Sequence, residues 1–255
     1  MKRVQEIRKN SGFYALLEFN TIRTSYFIFS ENHRIYFKTL KHYYSDLSIF
    51  HNNSIKRWHR QNILIKDIHN LISSTISYID HLKQIDCTEI AKNKIIEFER
   101  EPLYNLIRAL RNFLIHREPL YLSSRIDNFS TDTGEFSTLQ YESFNKQSFL
   151  AYLKKRSDEP NNSKDKKALE YLKTLPEIIN LNKVFEELKD LISKFHNWFV
   201  LSYLKEHKQA LVTLISEIDD LNNEAAKNKL YKMYPITQGQ YRYIQFLLYQ
   251  LGKRG

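Results

Sequence analysis

The chain is poor in the residues that cross-link a fold or break its helices. Its 255 residues include one cysteine (Cys87), five glycines and five prolines. A single cysteine excludes an internal disulfide framework and a thiolate zinc site, and it is typical of a protein kept in a reducing cytoplasm, where we expect this one. The shortage of glycine and proline disfavours turn-rich all-β folds and favours helices.

Several kinds of site and segment are also missing from the sequence. No apolar run approaches the roughly 20 residues that a membrane span needs, and residues 1–8 lack the apolar core of a signal peptide, so no membrane partner is expected. No two of the nine histidines lie three or four residues apart, and there is no His-Glu-x-x-His sequence. A glycine-rich phosphate loop is absent as well. We therefore expect neither a metal nor a cofactor.

Charge is the first feature that points to a partner. The chain contains 39 lysines and arginines but only 29 acidic residues, which gives a net charge of +10. A basic balance spread along the chain suits a polyanionic partner, RNA or DNA before a membrane. The same composition also occurs in basic chains that bind no polyanion.

Hydrophobic periodicity predicts an all-α fold, a helical bundle in a single domain. A β-hairpin insertion is predicted at about 120–144, because alternating and aromatic residues flank a turn containing Gly134. Residues 157–167 read as a polar loop, and about 208–255 as a C-terminal helical extension. The second half of the first helix leaves a strand open as an alternative. The predicted helices are 13–29, 31–50, 55–85, 88–100, 103–116, 146–156, 168–175, 182–228 with a break near His207, and 238–251.

The helix predicted at 103–116 carries the main functional candidate. Six apolar residues recur at three- and four-residue steps and form one stripe, which leaves the other side of the helix to polar residues. Tyr104, Asn105, Arg108, Arg111, Asn112 and His116 fall on that other side. Pro102 suits a first helical position, and Pro119 ends the helix soon after His116. The long helix from 182 is the predicted packing partner of this helix.

Within this helix the sequence Arg111-Asn112-Phe-Leu-Ile-His116 resembles the Arg-Asn-x-x-x-His motif of the HEPN family (higher eukaryotes and prokaryotes nucleotide-binding). The resemblance implies a four- or five-helix bundle that dimerises, so that two motifs face each other across a two-fold axis. It also implies a metal-independent endoribonuclease of toxin–antitoxin, antiviral or RNA-processing type, with RNA and a cognate antitoxin or sensor protein as partners. Other members of the family have lost catalysis and only bind nucleotides or proteins.

These residue types suit RNA cleavage, because RNA supplies its own nucleophile in the 2′-OH group. His116 is the candidate general base or acid, Arg111 would stabilise the phosphorane, and Asn112 would orient the histidine or the phosphate. Arg108 and Arg117 are candidate phosphate contacts, and Tyr104 is a candidate for stacking on a base.

The spacing inside the motif favours a site shared by two chains. Arg111 and His116 are five residues apart, roughly 140° around one straight helix, so a second copy of the helix would have to complete the pocket. Three alternatives remain at this stage. The cluster could line a helix or dimer contact, the same face could bind a protein or nucleotide without catalysis, or the chain could bind DNA without cutting it.

Overall fold

The computed structural model describes residues 2–45, 54–116, 122–130, 136–158, 162–228 and 236–253. In these ranges it contains ten helices and three strands, which confirms the predicted all-α class with a small β-element. The helices are α1 (Lys2–Ile7), α2 (Ser11–Tyr44), α3 (Ser54–Lys83), α4 (Glu89–Phe98), α5 (Pro102–His116), α6 (Lys146–Ser157), α7 (Ser163–Thr174), α8 (Leu181–Glu206), α9 (Lys208–Lys227) and α10 (Gln238–Lys253). The strands are β1 (Ser123–Ser130), β2 (Phe136–Asn145) and β3 (Ile178–Asn180).

The chain divides into two compact units. The first contains residues 1–24, 84–92 and 196–255, and the second contains residues 25–83 and 93–195. The sequence predicted one domain with an extension from about 208. In the structure the C-terminal residues share a unit with the N-terminal 24.

In the first unit, α2 and α9 approach closely at a glycine. A Cβ added at Gly12 would collide with the carbonyl oxygen of Ala210 and lie 2.9 Å from the Cβ of Leu214. Further along α2, the ring of Phe19 stacks on that of Tyr203 at 6.2 Å. The absence of a side chain at Gly12 therefore permits the two helices to meet at that point.

The second unit contains the sheet and the helix that carries the motif. The strands form an antiparallel sheet in the order β1-β2-β3, with Ser123 opposite Ser143 and Ser143 opposite Asn180. The two paired strands of the hairpin expected at about 120–144 are thus present, and residues 131–135, which include Gly134 of the predicted turn, lie outside the described residues. The third strand was not predicted.

Aromatic residues join α5, α6 and β2 into one core. The ring of Phe113 lies 5.3 Å from that of Phe149 and 5.2 Å from that of Tyr152. Phe144 of β2 contacts Phe149 from the sheet side at 6.2 Å. All four side chains are buried. This cluster fixes the C-terminal half of α5 against the hairpin.

Two sequence predictions about the helices are wrong. A single helix, α2, runs through residues 11–44 where two helices, 13–29 and 31–50, were expected; residues 46–50 lie outside the described residues. The polar loop expected at 157–167 already becomes helical at Ser163, where α7 begins. The break near His207 is confirmed, because α8 ends at Glu206 and α9 begins at Lys208.

Candidate catalytic helix

The start of α5 is fixed by its own sequence. Pro102 is the first helical residue, as its missing N–H group predicts. The side-chain amide of Asn105 donates to the carbonyl oxygens of Glu99 at 2.9 Å and Glu101 at 3.0 Å. Asn105 therefore ties the turn between α4 and α5 and is itself only 1% exposed. The prediction that Asn105 lies on an open polar side is wrong.

The single apolar stripe predicted that α5 would be buried on one side only. In the structure, neighbouring helices cover it on more than one side. Its most extensive packing is against α7, with further contacts to α3 and α6. The long helix α8, expected to be the main partner, is not the principal neighbour. Residues 103–107 are all buried, as are Ala109, Leu110 and Phe113. Beyond its exposed first residue Pro102, the described open part of α5 therefore consists of Arg108 and of the residues from Arg111 to Ile115 other than Phe113.

Tyr104 is not available to stack on a base. Its side chain is 1% exposed, and its ring packs 5.2 Å from that of Phe98. Burial, together with the charges of Asp80 and Glu99, raises the pKa of the Tyr104 hydroxyl well above its ordinary value. The expectation of a stacking role for this residue is wrong, because its ring belongs to the core.

Arg111 and Asn112 lie at the edge of the core, and both are half-buried. The Nε atom of Arg111 is buried and has no hydrogen-bond partner among the described residues. The positive charges of Arg108 and Arg111 both act on the Tyr104 hydroxyl and oppose the rise in its pKa. An arginine nitrogen that is desolvated but unpaired is a donor suited to an anionic acceptor.

The remaining motif residues are placed only in part. α5 continues to His116, its last residue, so the predicted helical phase between Arg111 and His116 is present in the backbone. The side chain of His116 lies outside the described residues, and so does Arg117.

Arg108 is engaged by a buried carboxylate that the sequence did not single out. Its Nη2 atom lies 3.9 Å from Oδ1 of Asp165, a residue whose side chain is 3% exposed. Arg156 donates through Nε to Oδ2 of Asp165 at 2.9 Å, and Asn162 donates to the same oxygen at 2.6 Å. Only the Nη2 atom of Arg108 is engaged by this carboxylate, because its Nε atom is buried and has no hydrogen-bond partner among the described residues.

Reasoning from the sequence missed Asp165 because it lay in the predicted loop. The available signal was its position three residues after Asn162, a spacing found at helix N-termini.

A second ionic cluster lies beside the N-terminal end of α5. Glu99 accepts hydrogen bonds from Lys83 at 2.7 Å and from Lys164 at 3.1 Å. Burial of the carboxyl group disfavours its charge, but the two ammonium groups outweigh that effect and lower the pKa of Glu99. Glu99 and Asp165 are each held by two cationic side chains, so neither is suited to act as a general base.

The arrangement can hold an anion more readily than a cation. Arg108 and Arg111 lie on the open side of α5, whereas the carboxylates near them are already paired. In the part of the chain that the structure describes, no group of three histidine, cysteine or acidic side chains could hold a metal ion. Within the same ranges, no helix has both the length and the apolar composition needed to cross a bilayer.

Comparison with protein-family models, with characterised proteins and with solved structures finds no match to this chain.

Proposed function

We propose that the protein is a metal-independent endoribonuclease that cleaves RNA through attack of the 2′-OH group. One observation carries the proposal. The helix α5 runs unbroken through Arg111-Asn112-x-x-x-His116, and the Nε atom of Arg111 is buried without a hydrogen-bond partner in the described part of the chain. The net charge of +10 supports an RNA substrate.

Each motif residue has a distinct role in this reaction. His116 takes the proton from the 2′-OH group or gives one to the leaving 5′ oxygen, since an imidazole titrates near neutral pH. Arg111 stabilises the negative charge that develops on the phosphorane, and its partial desolvation strengthens that interaction. Asn112, four residues before His116 on the same side of the helix, orients the imidazole or the phosphate.

The active form in this proposal is a homodimer. Five residues separate Arg111 from His116, so the two lie about 7.5 Å apart along the helix axis and roughly 140° around it. One scissile phosphate is too small to touch both from a single helix. A second copy of α5 across a two-fold axis brings Arg111 of one chain to His116 of the other.

The proposed cellular role rests on the resemblance of the Arg111–His116 sequence to the HEPN motif. That resemblance implies a toxin or antiviral effector, held in check by a cognate antitoxin or a sensor protein.

Two features favour a second candidate, a non-catalytic module that binds a protein or nucleotide through the same face. Tyr104 is buried and Arg108 is engaged by Asp165, so two of the contacts expected around an RNA strand serve the fold instead.

Cleavage in the presence of EDTA separates the two candidates. Wild-type protein is incubated with a mixed RNA substrate, and the product ends are identified. The proposal predicts 2′,3′-cyclic phosphate ends, lost in His116→Ala and in Arg111→Ala but retained in the exposed control Arg100→Ala. A wild-type protein that is inert on RNA but binds nucleotide through Arg111 would establish the second candidate instead.

A further inference from the structure

A strongly basic surface lies in the second unit, on elements other than α5. It is formed by the C-terminal end of α2, residues 34–44, and the N-terminal end of α3, residues 55–63. Neither stretch contains an aspartate or a glutamate. We call it the α2–α3 basic surface, and its cations are Arg34, Lys38, Lys41, Lys56, Arg57 and Arg60.

Hydrogen bonds between α2 and α3 show how these two stretches come together. The hydroxyl of Ser25 lies 2.7 Å from Nδ1 of His81, and the hydroxyl of Thr39 donates to Asp67 at 2.7 Å. The later residue of α2, Thr39, pairs with the earlier residue of α3, Asp67, so the two helices are antiparallel. The end of α2 therefore lies beside the beginning of α3, and their cations share one region.

A cavity of about 340 Å³ opens between these helix ends. Ile35 and Ile63 give it apolar walls, while Lys38 and Arg60 bring positive charge to it. The Nη1 atom of Arg60 is buried and has no hydrogen-bond partner among the described residues. Apolar walls and positive charge without a carboxylate in the described lining suit a ligand that has a planar ring and a phosphate. The volume falls in the range of small-molecule sites.

Large apolar side chains lie exposed next to this cavity. Trp58 is 66% exposed and Ile55 is 76% exposed. With Arg57 and Gln61 they line a second hollow of about 430 Å³. An exposed indole among arginines and lysines offers a flat face on which a base can stack while its phosphate meets a cation.

Three described acidic residues contact or flank this region, and each is already engaged; Glu142, which is 1% exposed, accepts the hydroxyl of Tyr44 at 2.7 Å. Glu31 forms a fork with Arg34, at 2.7 Å to Nη2, and so neutralises one cation at the edge. Asp67 is 3% exposed and already accepts the Thr39 hydroxyl. Lys38, Arg57 and Arg60 line the two hollows, and no carboxylate belongs to the described lining of either one.

We propose that the α2–α3 basic surface binds a single-stranded polynucleotide. Trp58 stacks on one base, the cavity receives a neighbouring nucleotide, and Lys38, Arg57 and Arg60 contact the phosphates. A single strand fits better than a duplex, because paired bases do not present their faces to an indole or enter a cavity. This surface extends the proposed function to substrate binding, but binding without cleavage would also satisfy it.

Binding is measured by fluorescence anisotropy with labelled strands of about 12 nucleotides, one of RNA and one of DNA with the same bases. Trp58→Ala is expected to weaken binding about ten-fold, whereas Phe246→Ala, a control at a side chain that is 54% exposed in the first unit, leaves it unchanged. The double variant Lys38→Gln/Arg57→Gln is expected to reduce the slope of log affinity against log salt by roughly 1.4. Its matched control is Lys183→Gln/Lys194→Gln on α8.

Comparing the affinities for the RNA and DNA strands shows which chemical groups the surface recognises. Equal affinity for both strands indicates recognition of bases and phosphates, and tighter binding of RNA indicates contacts to the 2′-OH group. The proposal is overturned if wild-type protein binds neither strand, if Trp58→Ala behaves like Phe246→Ala, or if only anionic lipid vesicles bind at this surface. The DNA strand has no 2′-OH group, so its binding is unaffected if the nuclease proposal fails.

Discussion

Replacing Asp165 by alanine tests whether the buried ionic cluster beside α5 holds the fold together. The change leaves Arg156 and Asn162 without the oxygen they share at 2.9 and 2.6 Å, and it leaves Arg108 without its carboxylate. Hydrogen bonds to a charged group contribute about 1.5–3 kcal/mol each. The Arg156 side chain is 36% exposed and can partly rehydrate, so we expect a loss of about 2–4 kcal/mol in the free energy of unfolding.

Urea denaturation followed by far-UV circular dichroism measures this loss. The matched control is Glu97→Ala, which removes an exposed ion pair with Lys94 and should leave stability unchanged. If Asp165→Ala unfolds at the same urea concentration as Glu97→Ala, the carboxylate is not an organising group of this unit and the reasoning is refuted.

Two further predictions concern pH and packing. Burial lowers the pKa of His33 and of His196 to about 4, so each folded-state pKa lies below its unfolded value of 6.5. Their contribution to stability is present above that value and is lost as pH falls toward 4. Urea titrations at about pH 5 should show that His33→Gln and His196→Gln each reduce this loss by about 2 kcal/mol. Gly12→Ala should cost about 2 kcal/mol or more in the same assay, because its Cβ collides with Ala210, whereas Gly239→Ala, whose Cβ would come no nearer than 4.0 Å to the Thr237 hydroxyl oxygen, should be neutral or stabilising. A stability loss that is the same in the histidine variants as in wild type, or a Gly12→Ala protein as stable as wild type, would contradict these two arguments.

Helices whose limits are set by local chemistry could be predicted from the sequence. α5 begins at Pro102 as predicted. α6 begins at Lys146, where the Asn145 side chain accepts the backbone N–H of Gln147. The region predicted as 55–85 is observed at 54–83.

Elements that depend on distant partners could not be predicted. The start of α7 at Ser163 accompanies the pairing of Asp165 with Arg156, and nothing in the lysine-rich sequence around it indicates a buried carboxylate. β3 is three residues long and exists because it pairs with residues 143–145 of β2. The division of 11–44 into two helices was wrong, because neither glycine nor proline is present near residue 30 to end the first helix.

The sequence located the helix that carries the motif, but it did not predict which helices pack around it. A helical projection assigns one buried stripe, whereas α5 is covered by α7, α3 and α6 together, which buries Tyr104 and Asn105. Arg111 and Asn112 remain at the edge of the core. The pattern thus locates the motif residues, but only the packing decides which of their neighbours stay accessible.

Mixing two inactive variants tests the shared site most directly. Arg111→Ala and His116→Ala are combined in equal amounts, exchanged as subunits, and assayed for RNA cleavage in EDTA. If Arg111 of one chain works with His116 of the other, half of the dimers are mixed and each regains one intact site, so the mixture should recover roughly a quarter of wild-type activity. A mixture as inactive as either variant alone, with wild type active, would contradict a catalytic site built from two copies of α5.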